Sequence, residues 1–351
     1  MTDPLKHESC DVAIIGAGPA GLSAAIELKK SGIESVLVLE REAEAGGIPR
    51  HCAHPPYGLR EYKRLLTGPT YAKKLVETAH NTGVQIALKN TVTKMEAGGI
   101  LTIASPEGLR QLTAKRVLLA TGIRETPRSA RLVSGDRALG ICNTGTLQSM
   151  FYLKNMVPFR RPVVVGTEIV SFSALSTCKK AGIQPVAMLE ENQRPTIRWP
   201  IHYAARFFGV PLFLNTRIVK ILGKDRVNAV QIKDESGNIR EITCDGVLFT
   251  GQFTPESTLA RMSHLMFDHE MGSPLVDRFG RCSDPVYYAA GNVLQHHPDS
   301  DLSANVPIYY TADNHPQPVD VAGQCWNEGR TTAQWIIQDL TTKLPVISNE
   351  L

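Results

Sequence analysis

The chain has 351 residues, 42% of them hydrophobic and 21% charged, with a net charge of +4; this is an ordinary globular composition, long enough for two or three compact units. So small a charge excess, without a long basic run, argues against nucleic acid as a partner, and no apolar stretch is long enough to span a bilayer. The polar opening MTDPLKHESC has no signal-peptide pattern, and seven cysteines stand singly with no CxxC, which fits free thiols in a reducing cytoplasm.

Taken in chain order, the apolar run Val12 to Ile15 predicts a buried parallel strand. A turn with Gly16, Gly18 and Gly21 follows, then a helix-forming stretch that stops at Gly32, then a second strand from Ser35 to Leu39 ending in Glu40. This is a βαβ dinucleotide fingerprint with its parts in order. Gly16 makes the turn, Gly18 lets the backbone approach a pyrophosphate, and Gly21 lets the helix lie close to the strand. The helix N-terminus offers free N–H groups and a positive dipole end to phosphates. Glu40 is placed to hold ribose hydroxyls.

Residues 45–58 are too rich in glycine and proline for a long helix or strand, yet dense in Arg, His and Cys. A helix carrying Tyr71, Leu75, Val76 and Ala79 on one face is expected next, then a strand from Val84 to Leu88. Residues 91–104 and 109–116 predict an antiparallel pair turning at Pro106-Glu107-Gly108. A buried strand from Arg116 runs into Thr121-Gly122, and an Arg- and Pro-rich linker covers Ile123 to Asp136. Its Arg124, Arg128 and Arg131 read as a solvated hinge face.

A second strand–turn–helix–strand then repeats the first, with Gly166 standing 150 residues after Gly16. Ala174 falls on Ala24, Lys179-Lys180 on Lys29-Lys30, Gly182-Ile183 on Gly32-Ile33 and Glu190 on Glu40. Val247 to Gly251 echoes Val117 to Gly122. The expected architecture is α/β, with two Rossmann-like dinucleotide-binding units in a three-layer ββα arrangement. The first occupies 8–125 and 280–345; the second is inserted at 126–279. The repeat breaks at Thr167-Glu168, where Glu168 takes the position of Gly18. A side chain and a negative charge then stand where a pyrophosphate needs the bare backbone. The inserted unit is expected to keep its fold and to bind NAD(P)H poorly; it could still hold another adenine nucleotide.

With both units in place, the chain resembles the flavoprotein family with two dinucleotide-binding domains. Four strings carry a narrower resemblance: Gly46 to Cys52 followed by Gly58, Leu66-Thr67-Gly68-Pro69, Ala120 to Glu125, and Val165 to Leu175. They are similar to the FAD-containing subunits of hydrogen cyanide synthase, opine (octopine and nopaline) oxidase and hydroxyproline dehydrogenase. The resemblance implies FAD, with Gly16, Gly18, Pro19, Ala20 and Gly21 around its pyrophosphate, Glu40 at the ribose and Arg41 flanking the adenine. It implies Gly47 and Ile48 near the isoalloxazine and Thr121 with Gly122 on the adenine side. Gly291-Asn292 matches a Gly-Asp motif for ribitol and pyrophosphate oxygens. The helix beginning near Gly323-Gln324 would aim its N-terminus at the flavin N1–C2=O edge.

Such proteins work beside a second, substrate-oxidising flavoprotein subunit. This chain has no cysteine after Cys325, so an iron–sulfur cluster would sit in a separate small subunit. Catalytic candidates are His51 and Cys52. His51 and His54 read equally as proton carriers or as structural groups, and Cys52 as a reactive or a packing thiol. Trp199, Phe207 and Phe208 read as core or interface. The segment from Leu294 to Val321 contains His296, His297, Asp299, Asp301, Asp313 and His315. These suit a metal by type but match no ligand spacing, so no metal is expected; a partner-binding or flavin-covering loop is.

Three functions follow. The first is an FAD-containing dehydrogenase subunit for CH–NH donors, cytoplasmic and reaching the inner membrane only through its complex. The second is a stand-alone NAD(P)H-dependent FAD oxidoreductase. The third is a non-catalytic flavin- or nucleotide-binding scaffold.

Overall fold

Strand β1 (Lys6–Ile15) and strand β2 (Val36–Glu40) pair in parallel, Val12 against Val36 and Ile15 against Leu39. Helix α1 (Pro19–Lys30) makes the crossover between them. Because successive strand residues point to opposite faces, Val12 and Ile14 face one core while Ala13 and Ile15 face another. This is why the run is apolar throughout instead of alternating. The computed structural model describes residues 6–196, 204–294, 322–342 and 344. Trp199 and the histidines and aspartates expected to form a loop after Leu294 lie outside the described residues.

The first sheet continues with β3 (Gln85–Leu88), β4 (Thr91–Glu96), β5 (Ile100–Ser105) and β6 (Gly108–Leu119), in the order β3-β2-β1-β6-β5-β4. The single strand expected over 91–104 is two strands, because Gly98 and Gly99 take φ of +78° and +77° and reverse the chain. The expected turn before Gly108 joins β5 to β6. Helix α2 (Leu59–Tyr62) and helix α3 (Gly68–Asn81) precede β3.

After β6 the chain crosses to a second sheet through β7 (Ile123–Glu125) and β8 (Ser134–Gly135). That sheet uses β9 (Ile141–Asn143), β10 (Pro162–Val165), β11 (Ala187–Leu189), β12 (Leu212–Phe213) and, further on, β16 (Gly246–Phe249). Its order, β12-β11-β10-β16-β9, is parallel throughout. Helix α4 (Thr144–Gln148) follows β9, α5 (Ile169–Lys180) follows β10, and α6 (Ala204–Phe207) precedes β12. A smaller sheet joins β13 (Arg217–Leu222), β14 (Ala229–Lys233) and β15 (Ile239–Thr243) to β8. The chain returns through β17 (Phe253–Pro255), which pairs antiparallel with β7. The linker expected over 123–136 thus opens with one strand of a two-stranded ribbon and ends in a strand of the smaller sheet.

Helix α7 (Thr258–Arg261) and the short hairpin β18 (Phe267–Asp268) and β19 (Ser273–Pro274) lead back to β20 (Tyr287–Ala289), which joins β6 in parallel. Helix α8 (Ala322–Thr342) then packs on α1 so closely that a Cβ at Gly329 would lie 2.1 Å from Ala20 O. Ile14, Leu22, Tyr71, Leu75, Tyr288 and Ile336 form the helix-side core. Leu101, Ile103, Leu112, Leu119 and Tyr287 form the core on the other face.

Candidate functional site

Gly18 is the N-cap of α1, with Pro19 at the first helical position. Its chain neighbours apart, no atom lies within 4 Å of where a Gly18 Cβ would stand, and the N–H groups of a helix's first turn have no partner within the helix. The neighbouring glycines are required by packing. A Cβ at Gly21 would lie 2.0 Å from Gly16 O, and one at Gly47 would lie 2.8 Å from Gly18 Cα. A Cβ at Gly291, just after β20, would come within 2.8 Å of Ala20 Cβ. Gly16, Gly18, Pro19, Ala20, Gly21, Gly47 and Gly291, with Asn292 beside it, thus converge on one end of α1.

Glu40 ends β2 beside this cradle and is buried. Its Oε2 accepts from Ala17 N at 2.9 Å and its Oε1 from Glu42 N at 2.9 Å. Each oxygen keeps a lone pair for a ribose hydroxyl. Arg41, Thr121 and Gly122 meet around a residue the sequence reading did not single out, Glu256. Thr121 Oγ1 donates to Glu256 O at 2.7 Å, Glu256 N donates to Gly122 O at 2.8 Å, and Arg41 lies 3.9 Å from the carboxylate. Arg124 approaches the same carboxylate at 3.7 Å.

The segment after Gly47 makes a turn of 3-10 helix over Ile48–His51. Ile48 is exposed and Cys52 is buried. Burial and the Arg50 charge hold the His51 imidazole down to about 4, so it is neutral at pH 7. Burial pushes the Cys52 thiol up to about 11, which leaves no thiolate for nucleophilic work at neutral pH. Cys52 Sγ sits 3.5 Å from Gln148 Oε1 of α4, and Gln148 Nε2 donates to Ser173 Oγ of α5 at 2.6 Å. His54 Nδ1 lies 2.9 Å from Pro55 O. In the first turn of α8, next to Gly323, the buried Gln324 Oε1 has no hydrogen-bond partner among the described residues. An open helix N-terminus at Gly18 and an unpartnered buried carbonyl at Gln324 are the features that a bound dinucleotide cofactor would satisfy.

The matching face of the second unit is filled by the chain itself. Glu168 is the N-cap of α5, and its side chain turns inward: a Cβ at Gly251 would lie 2.2 Å from Glu168 Cδ, and one at Gly166 2.6 Å from Oε2. Thr250 Oγ1 donates to Glu168 Oε2 at 3.1 Å. Glu190 repeats the Glu40 arrangement, with Oε1 accepting from Asn192 N at 3.0 Å. Its Oε2, however, accepts from two hydroxyls, Thr167 Oγ1 and Thr196 Oγ1, the latter at 3.2 Å. Glu40 Oε2 takes no such hydroxyl; its partner is the Ala17 N–H.

Of the three arginines expected on a solvated face, Arg131 is turned inward, and Arg128 stays at the surface bonded to carbonyls. Arg131 donates to the carbonyls of Thr250, at 3.0 Å, and Gly251. Arg128 reaches the carbonyls of Val133 at 3.1 Å and Ser134 at 2.9 Å. Free carbonyls at the ends of β16 and β8 offer better partners than water because the five donors of a guanidinium can each be used. Among the described residues no group of His, Cys, Asp and Glu is placed to hold a metal, and no helix is long and apolar enough to cross a membrane.

A family model described as pyridine nucleotide-disulphide oxidoreductase matches residues 10–324. An opine oxidase subunit of Agrobacterium tumefaciens is 25% identical over 313 residues, which cover 80% of this chain and 61% of that subunit. The chain thus spans about three fifths of the length of that relative. Thioredoxin reductase of Treponema pallidum is 27% identical over 294 residues, covering 81% of this chain and 88% of that enzyme. Among solved structures, thioredoxin reductase of T. acidophilum superposes with a TM-score of 0.74 at 23% identity, over 95% of this chain and all of that one; at that identity the likeness is one of fold.

Proposed function

The chain belongs to the pyridine nucleotide-disulphide oxidoreductase family, and from that premise we propose that it is the FAD-containing subunit of a heteromeric dehydrogenase acting on amino acids or amines of imino acid, opine or hydroxyproline type. Its electrons come from a partner flavoprotein subunit, then pass to an acceptor, a separate small iron–sulfur subunit being a candidate link. The protein is an FAD-dependent oxidoreductase by family; the CH–NH donor and the partners are the proposal. FAD, when bound, supplies a two-electron store that can be filled and emptied by different proteins.

In this reading the unit formed by 8–125 and 280–345 holds FAD. Gly16, Gly18, Pro19, Ala20 and Gly21 bind the pyrophosphate, Glu40 the ribose, and Arg41, Thr121 and Gly122 border the adenosine end. Gly47 and Ile48 lie against the isoalloxazine, and Gly291, Asn292, Gly323 and Gln324 close the ribitol side. His51 stays neutral and Cys52 stays protonated, so both shape the flavin pocket without carrying charge into it. The unit at 126–279 serves as a structural body.

The observation that carries the proposal is the occupied nucleotide face of the second unit. Glu168, Thr167 and Thr196 take the places of pyrophosphate and ribose, so a reduced nicotinamide nucleotide is not the natural electron source. The anaerobic flavin spectrum tests this. The flavin should remain oxidised with NADH or NADPH and bleach only when an amino acid is supplied together with a partner subunit. Rapid bleaching by either nucleotide would establish the second reading, a stand-alone NAD(P)H-dependent oxidoreductase, which the fuller overlap with thioredoxin reductase favours.

A further inference from the structure

Between the turn at Ile48–His51 and α3, the chain makes a closed loop. Tyr57 and Leu66 clamp its ends with two backbone hydrogen bonds, Tyr57 N to Leu66 O at 3.0 Å and Leu66 N to Tyr57 O at 2.8 Å. Inside the loop, Glu61 is turned inward and accepts from Tyr71 OH at 2.8 Å. Tyr57 and Tyr62 pack on Tyr71 at ring-centre distances of 5.7 and 6.0 Å. The loop is therefore held from below by a fully buried tyrosine.

What it presents outward is of one kind. Leu59 and Leu65 are 53% and 62% exposed. Arg60, Lys63 and Arg64 are exposed beside them and pair with no acid among the described residues. The one carboxylate of the loop is engaged with Tyr71, so three cations stand uncompensated around two leucines. Apolar anchors ringed by charge of a single sign mark a protein-docking surface.

The loop also stands at the flavin end of the site. A Cβ at Gly323, in the first turn of α8, would lie 3.2 Å from Arg60 Cδ and 3.3 Å from Glu61 Oε1. At its other end, two residues past Leu66, a Cβ at Gly68 would lie 2.4 Å from Pro49 O and from Cys52 O. The loop thus lies against the start of α8, and the chain just past it lies against the 49–52 turn, the two segments assigned to the isoalloxazine surroundings.

We infer that the 57–66 loop is the docking surface for an acidic redox protein that exchanges electrons with the flavin. This rests on the FAD-subunit reading and names the surface and charge of its partner. The leucines give the contact its dry centre, and the cations steer an acidic surface toward it over roughly the Debye length, about 10 Å at 0.1 M salt. Its position beside the flavin end favours a redox protein over an anionic membrane as occupant.

The test uses the FAD-loaded full chain, photoreduced anaerobically with EDTA as the sacrificial electron donor and mixed with an oxidised acidic blue-copper protein as probe. For each flavin reoxidised, two electrons leave, one proton is released to solvent, and two copper(II) centres become copper(I). At low ionic strength the triple variant Arg60→Glu, Lys63→Glu, Arg64→Glu should slow this about tenfold, and the difference should vanish in high salt. The control Arg217→Glu, Lys220→Glu, Lys224→Glu changes the total charge equally on and just after β13 and should leave the rate within about twofold. Reoxidation by neutral benzoquinone should not change in either variant. Equal rates for parent and triple variant overturn the inference. So does loss in the triple variant of flotation with phosphatidylglycerol vesicles while the copper-protein rate is unchanged, which assigns the loop to a membrane. Photoreduction needs neither substrate nor NAD(P)H. A flavin reoxidised at equal rates therefore removes this inference alone, whereas a chain that takes up no flavin removes the FAD-subunit reading with it.

Discussion

Thr167 donates its hydroxyl to Glu190 Oε2, in the place where Ala17 N donates to Glu40 Oε2 in the first unit. The two carboxylates end equivalent strands, and each Oε1 is held by the backbone N–H two residues on. The difference lies in what remains free. Glu40 takes only backbone donors, whereas Glu190 also accepts from two hydroxyls, one from Thr167 and one from Thr196. In the second unit three of the chain's own side chains, Thr167, Thr196 and Glu168, make contacts at the positions that stay open in the first.

Opening that site should take more than one change. Glu168→Gly removes the buried carboxylate and should strengthen NADPH binding by about tenfold, on the order of 1 kcal/mol. Adding Thr167→Ala and Thr196→Val should gain a further factor of about ten. Equilibrium titration of NADPH fluorescence reads both. If the triple variant binds no better than the parent, the idea of a self-filled site is wrong.

The same carboxylate should leave a mark on stability. Burial lifts Glu168 from its ordinary 4.5 to about 7. Between these values the folded chain holds a proton that the unfolded chain has lost, so stability falls as pH rises through this window. The whole loss is on the order of 3 kcal/mol. Glu168→Gln should therefore be more stable than the parent at pH 8 and no more stable at pH 4.5. Urea midpoints that run parallel for the two proteins across this range would contradict it.

Gly18 and Gly21 should separate cofactor binding from folding. A methyl at position 18 meets no protein atom, whereas one at position 21 would stand 2.0 Å from Gly16 O. Gly18→Ala should leave the apoprotein's stability within about 0.5 kcal/mol and weaken FAD binding at least about tenfold. Gly21→Ala should cost more than about 3 kcal/mol or prevent folding, because α1 must move off β1. Thermal melts with and without FAD distinguish the two. Equal behaviour would mean that neither glycine acts as described.

Cys52 should prove dispensable for chemistry. With its thiol raised to about 11 by burial, alkylation at pH 8 should be slow in the folded chain. Cys52→Ala loses packing and the contact with Gln148, at a cost of about 1–2 kcal/mol, while flavin turnover stays within about threefold. A hundredfold fall in turnover with an unchanged melting temperature would instead make the thiol catalytic.

Asp339 ties α8 to the first sheet. It accepts from Arg116 Nε at 2.6 Å, from Tyr288 OH at 2.8 Å and from Leu344 N at 3.1 Å. Asp339→Ala leaves the hydroxyl of the buried Tyr288 without its acceptor and loosens Arg116, and should cost about 2–3 kcal/mol. Since α8 carries Gln324, the FAD affinity should fall with it, which differential scanning with added FAD would show. Undiminished FAD affinity would separate the helix from the cofactor site.

The two strand–turn–helix–strand units, their offset and the chemistry of the first glycine turn were all legible in the residues alone. Each is a local pattern within some thirty residues, where the spacing of apolar residues and the place of a glycine decide the backbone. Glu168 was legible too, because a charged residue at a glycine position breaks the repeat visibly. The hairpin at Gly98-Gly99 was hidden, because the alternating pattern continues on both sides of the turn. The partners of these groups came from the tertiary fold. Glu168 packs against Gly251, Arg131 reaches the Thr250 and Gly251 carbonyls, Glu256 gathers Arg41 and Thr121, and Thr196 joins Thr167 on Glu190. Most of these partners lie far apart in the chain, and no period in the sequence links them. They meet because two sheets bring the ends of their strands together, and a hydrogen bond forms wherever a buried acceptor would otherwise stand without a partner.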